Sequence, residues 1–184
     1  MNADESRARL PVALVSAIGS VAVASAELED ALRATTADLA GVLATDAARL
    51  LFEGQSMDWL IANGKTLAAD DVWSPHPRGY RREIRELLSE AARLKDERNV
   101  VMHGQWSADC SRGYWEDDQC EPHSPRTDEH RGDVYHVSRS RYRKYAMEQR
   151  WAVAEVSGLA DRLWVVTTRL DELRELNERT IGAP

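Results

Sequence analysis

The sequence predicts an all-α fold, an up-down bundle of about five helices with a β-hairpin-like insertion between the last two. Three observations carry that expectation. Alanine, leucine, arginine and glutamate, all strong helix formers, are plentiful. Only 10 glycines and 6 prolines punctuate 184 residues, so the chain has few turns. Apolar residues recur at steps of three and four over most of the length and lose that period between about 105 and 138. The length suits one domain with a real core, and 43% hydrophobic with 30% charged residues excludes wholesale disorder and a membrane protein as a whole.

The first helix is expected from about Glu5 to Arg33. Leu14, Ile18, Val21, Ser25, Leu28 and Leu32 form one stripe, while Val12, Val15, Gly19, Ala22 and Ala26 make a second face of small residues that a neighbouring helix can approach closely. Leu10 to Ala26 is nearly free of charge and ends in Ala24-Ser25-Ala26, which resembles a signal-peptide cleavage site. The stripe continues beyond that point, however, and Asp4 and Glu5 offset Arg7 and Arg9, so a cytoplasmic protein with no membrane association is expected.

Thr35 followed by Asp38 resembles a capping box opening a second helix, with Leu39, Val42, Leu43, Ala47, Leu50 and Leu51 on its inner side. Gly54 is its expected stop. Ser56 is expected to cap a third helix carrying Met57, Leu60, Ile61, Leu67 and Ala68, with Gly64 as its weak point. Pro75 and Pro77 make Asp70 to Gly79 a loop.

A fourth helix follows from about Tyr80 to Met102, with Ile84, Leu87, Leu88, Ala91, Leu94 and Val101 inside. Gln105–Ala108 and Asp133–Val137 are expected to pair as a hairpin around a long polar tip. The last helix then carries Trp151, Val156, Leu159, Leu163, Val166, Leu170 and Leu173 on its inner side. Trp59, Trp151 and Trp164 are expected in the core or an interface, and Trp115 in the tip as a contact residue.

The chemistry concentrates where the fourth helix ends, in Glu97-Arg98-Asn99-Val100-Val101-Met102-His103-Gly104. Arg98 falls on the buried stripe between Leu94 and Val101. An unpaired buried cation is costly, so it must reach a partner, a wet cleft or a subunit interface. His103 stands at the negative end of the helix macrodipole, a position that suits a cation. Gly104 follows as a residue past a helix end, where a left-handed conformation is expected. Asn99 and His103, four apart, share a strip of surface, so Asn99 can orient the imidazole or hold a phosphate oxygen.

Internal RNA cleavage needs a base for the ribose 2′-hydroxyl, an acid for the leaving 5′-oxygen and positive charge on the phosphorane. Histidine and arginine suit those roles. One motif supplies one histidine, so a two-fold dimer is needed to provide acid and base together. The simpler reading is that Arg98 and His103 satisfy terminal carbonyls or a carboxylate such as Asp96 or Glu97.

Arg98-Asn99, three residues, then His103 resembles the R-x4–6-H signature of HEPN domains, all-helical modules of higher eukaryotic and prokaryotic nucleotide-binding proteins. A long helix ending at the motif before a closing helix is similar too. The resemblance implies a single HEPN-like domain over residues 1–184, with the polar insertion at about 105–138. It also implies a homodimer with two motifs facing across a cleft, and metal-independent endoribonuclease activity as a toxin or phage-defence effector. Arg98, Asn99 and His103 are the catalytic residues it implies, with RNA as substrate, no cofactor, and an antitoxin or regulatory protein as a further partner. A non-catalytic helical dimerisation module, binding a protein partner, is the alternative.

Arg139, Arg141, Arg143 and Lys144, interleaved with Tyr142 and Tyr145, are candidate RNA-binding residues. They also read as a solvated helix start offsetting Glu116, Asp117, Asp118 and Glu121. Cys110, Cys120, His123, His130 and His136 are zinc-ligand types, yet they lack the close cysteine pairing of structural zinc sites, and no metal is expected. Two cysteines are too few for a disulfide framework. The net charge of −7 argues against non-specific coating of nucleic acid and leaves room for one basic patch. Phosphate-loop, dinucleotide, H-E-x-x-H and nucleophile-elbow patterns do not occur.

Overall fold

A computed structural model describes residues 10–42, 50–69, 74–107, 134–139 and 147–181. The architecture is an all-α up-down bundle with a small sheet between the last two helices. The helices are α1 (Val12–Leu39), α2 (described over 50–52), α3 (Met57–Ala69), α4 (Arg78–His103) and α5 (Val153–Ile181). Strands β1 (Gln105–Ser107), β2 (Val134–Arg139) and β3 (Met147–Ala152) form an antiparallel sheet in that order. The chain divides into two compact units, Met1–Ala22 with Arg98–Ala160 and Val23–Glu97 with Asp161–Pro184.

The first helix runs past its expected end at Arg33, because Thr35 and Thr36 are buried within it instead of opening a new helix. The Thr36 hydroxyl donates to the carbonyl of Leu32 at 2.7 Å, which satisfies it without a cap. The stop is Gly41, with φ of 68°. Its amide bonds Asp38 O (2.9 Å) and the Val42 amide bonds Ala37 O (3.1 Å), the paired pattern of a Schellman end. Leu39 therefore closes α1 instead of lining the second helix. Residues 43–49 of that expected helix lie outside the described residues. Leu50 and Leu51, expected inside, are 77% and 62% exposed, and Phe52 is buried in their place.

The inner stripe of α1 holds except at one position: Leu14, Val21, Ser25, Leu28 and Leu32 are buried, and Ile18 is half-buried. On its small-residue face Val12 is 85% exposed, Ala22 is half-buried, and a side chain at Gly19 would meet nothing among the described residues. By length and composition α1 could cross a membrane, a test that the core helix of a soluble protein also passes. Ser56 caps α3 as expected, accepting from the Trp59 amide at 3.2 Å. Trp59 and Trp164 are exposed, so neither belongs to the core. Gly64 earns its place by close approach: a Cβ there would lie 3.0 Å from Leu88 Cδ1 and 3.4 Å from Thr36 Oγ1.

In the unit containing Val23–Glu97, Leu28, Leu32, Leu60, Ile84, Leu88, Leu94, Leu163 and Leu170 are fully buried. Beside this apolar core lies a buried polar knot that helical periodicity does not reveal. His76 Nε2–H donates to Asp38 O and Nδ1 accepts from Asn177 Nδ2, both at 2.9 Å. The Tyr80 hydroxyl donates to Asp38 Oδ2 at 2.5 Å, and Arg81 Nε donates to His76 O at 3.2 Å. The loop at Pro75–Pro77 thus ties the end of α1 to α4 and α5.

The hairpin forms as expected, with Trp106 opposite Val137. A third strand was not expected. Trp151 lies on β3, opposite Tyr135, and not on the last helix, which begins at Val153. Pairing with β2 overrides local helix propensity here. The start of α5 is marked by Glu155, whose carboxylate reaches back to the Ala152 amide at 2.7 Å, half of a capping box without the hydroxyl that would announce it.

Candidate functional site

The unit that holds the sheet also holds Arg98, Asn99 and His103, on the last turn and a half of α4. Val101 on that stretch is buried, and its carbonyl accepts from the indole N–H of Trp106 at 3.0 Å. An orphan helix-end carbonyl is thereby satisfied by the strand that follows. Gly104 bonds back to Val100 O at 2.9 Å.

The reason for glycine at 104 is space, not the expected left-handed backbone. Positive φ occurs at Gly41 and Gly54 among the described glycines. A Cβ at Gly104 would lie 2.0 Å from Val137 Cγ2 and 2.6 Å from Val100 O. The turn from helix to β1 is pressed directly against β2, which sets the direction in which the motif's last turn leaves the sheet.

Arg98 is half-buried, and Asn99 holds it: Nη1 donates to Asn99 Oδ1 at 3.1 Å. Asn99 thus steadies the guanidinium, and no bond joins it to His103 among the described residues. The Nε of Arg98 is buried and has no partner there. The carboxylates that would make Arg98 a simple surface ion pair are occupied. Glu97 takes both guanidinium nitrogens of Arg162, at 3.2 and 2.5 Å, and one of Arg93 at 3.4 Å. Asp96 takes Lys95 at 3.3 Å. His103 is exposed at the helix end and has no ion pair among the described residues. A steadied cation with a spare donor and an accessible imidazole thus share one helix end.

Arg141, Arg143 and Lys144 lie outside the described residues, as do Cys110, Cys120, His123, His130, Trp73 and Trp115. The backbone of Arg139 ends β2 and β3 begins at Met147, and residues 140–146 between them lie outside the described residues. His136 lies buried on β2, opposite Arg150. Among the described residues no three His, Cys, Asp or Glu side chains gather as metal ligands. Sequence reasoning missed Trp106 as a cap and Asn99 as the arginine's support, since neither a three-residue strand nor an i,i+1 bond leaves a periodic signal. Compared with protein-family models, curated proteins and solved structures, the chain matches none.

Proposed function

We propose that the chain is a HEPN-like, homodimeric, metal-independent endoribonuclease of the cytoplasm, a toxin or phage-defence effector restrained by an antitoxin or regulatory protein. The observation that supports this reading best is Arg98, half-buried, steadied by Asn99 and keeping a buried Nε unpartnered among the described residues while Glu97 and Asp96 are engaged elsewhere. A buried donor without a partner is unfavourable in the isolated chain. In a cleft shared with a second copy, the Arg98 side chain turns outward and a substrate phosphate oxygen takes this donor.

In this mechanism one His103 accepts the proton of the ribose 2′-hydroxyl as that oxygen attacks phosphorus. The P–O5′ bond breaks, and the His103 of the second copy gives its proton to the departing 5′-oxygen. The products are a 2′,3′-cyclic phosphate and a 5′-hydroxyl. Arg98 holds the charge that develops on the phosphorane, where fixed positive charge is most effective. Arg139, Arg141, Arg143 and Lys144 supply phosphate contacts for the strand.

The test is RNA cleavage by the purified protein with a chelator present. Cleavage is expected to persist in chelator and to fall at least 100-fold in His103→Ala, the lower range for a lost acid–base group, with circular dichroism and sedimentation unchanged. Equal activity in the variant overturns the assignment. The alternative, a non-catalytic interaction module, draws on the exposed uncharged face of α1 at Val12, Val15 and Gly19. Absence of cleavage together with capture of a protein partner through that face favours it.

A further inference from the structure

The fold pairs off most of the arginines it describes. Arg33 meets Glu29 and Asp30, Arg93 meets Glu90 and Glu97, Arg169 meets Glu83 and Glu172, and Arg174 and Arg179 meet Asp171 and Glu175. Arg78, Arg82 and Arg85 depart from this pattern. All three are exposed, and none of their side chains has a hydrogen bond or ion pair among the described residues. They stand at i, i+4 and i+7 of α4, which puts them on one face and spreads them over about 10 Å of helix. Arg82 and Arg85 also line an open groove of about 520 Å³ with Glu86, Ser89 and Glu90.

Helix stability does not explain this row. The first turn of α4 has no acidic residue, and the partial positive charge of its free amides repels Arg78, which stands there. Nor do the groove's acids neutralise it. Glu90 is committed to Arg93, whose bond holds its carboxyl below the usual carboxylate range, and the Ser89 hydroxyl is turned back onto Arg85 O at 2.8 Å. Glu86, four residues beyond Arg82, is the other carboxylate lining the groove, one against two arginines. A row of arginines that bonds no carboxylate among the described residues suits an anion from outside.

We propose that Arg78, Arg82 and Arg85 form a binding site for the phosphate backbone of single-stranded RNA. Guanidinium groups take phosphate oxygens in pairs of parallel hydrogen bonds. A stacked strand carries one phosphate per roughly 3.4 Å, so a row of about 10 Å spans about three of them. The identity of the polyanion rests on reading the chain as an enzyme of RNA, whereas the site itself does not depend on cleavage.

The experiment measures binding of a short labelled single-stranded RNA by fluorescence anisotropy across a salt series. It compares His103→Ala protein with the same protein carrying Arg78→Gln, Arg82→Gln and Arg85→Gln. Losing three phosphate contacts flattens the slope of log affinity against log salt by about 2 and weakens binding about 50-fold near 0.15 M salt. Because the side chains are exposed, the melting curve is expected to stay put. If the triple variant fails to fold, Arg82→Gln alone is expected to flatten the slope by about 0.7. An unchanged slope and affinity overturn the proposal, as does tighter binding of an acidic peptide of equal charge than of RNA. A wild-type protein that binds RNA with this slope but does not cut it removes the nuclease reading and leaves the site standing.

Discussion

Gly104 shows how a residue can be recognised correctly for the wrong reason. In the sequence it reads as a helix-ending glycine, and the helix does end at His103. Its necessity, though, comes from Val137, a residue 33 positions later, whose close approach to the turn no local pattern reveals. Gly104→Ala is expected to destabilise the protein by about 3 kcal/mol, at the upper end of overpacking costs, because Val100 O is backbone and cannot yield. Thermal melts check this, and the double variant with Val137→Ala should recover part of the loss but not all. A melting temperature equal to wild type would mean that the turn is free to shift. Arg98, by contrast, was legible: its place between Leu94 and Val101 on an apolar stripe announced a cation in need of a partner. That Asn99 would steady it was not, since adjacent residues on a helix ordinarily point apart.

At the scale of elements, the polar knot around His76 joins three helix ends, and its pH dependence follows from Tyr80. Burial first, and then the bond to Asp38, raise the phenol well above its ordinary value near 10. The folded protein therefore keeps a proton that the unfolded chain releases, so the contribution is complete below about pH 10 and is lost as pH rises beyond it. Tyr80→Phe is expected to cost about 1 kcal/mol at neutral pH, the value of one hydrogen bond. It should also reduce the alkaline loss of stability seen in the wild type. Denaturant titrations at neutral pH and above pH 10 measure both effects, and parallel curves for the two proteins would show that Tyr80 does not carry the slope. The helices of this region were readable from their periodicity, with boundaries displaced where a threonine found a partner inside the helix or a strand claimed residues expected in α5. The knot itself is invisible to periodicity because it is built from loop and helix-end residues far apart in the chain.

For the molecule as a whole, the proposed mechanism requires two copies, since each chain brings a single His103 to the reaction. Specific RNA cleavage activity is therefore expected to fall on dilution through the range in which sedimentation shows dimers dissociating. A monomer of constant specific activity would remove the composite site and leave a different source for the second proton transfer. The exposed, uncharged side of α1, with Val12 at 85% exposure and Gly19 open, is apolar surface that a subunit or protein partner can cover.

The sequence by itself determined the helical character of the protein, the inner stripes of α1, α3, α4 and α5, the caps at Gly54 and Ser56, and the hairpin that follows the arginine–histidine segment. These rest on local periodicity and on side chains that act within a few residues, which a linear string preserves. Only the tertiary structure decided that Gly104 is pressed against β2, that a third strand precedes α5, that His76 binds the ends of α1 and α5, and that Asn99 holds Arg98. Each of those depends on atoms brought together across tens of residues, and there the burial of a neighbour, not the preference of the residue itself, sets the outcome.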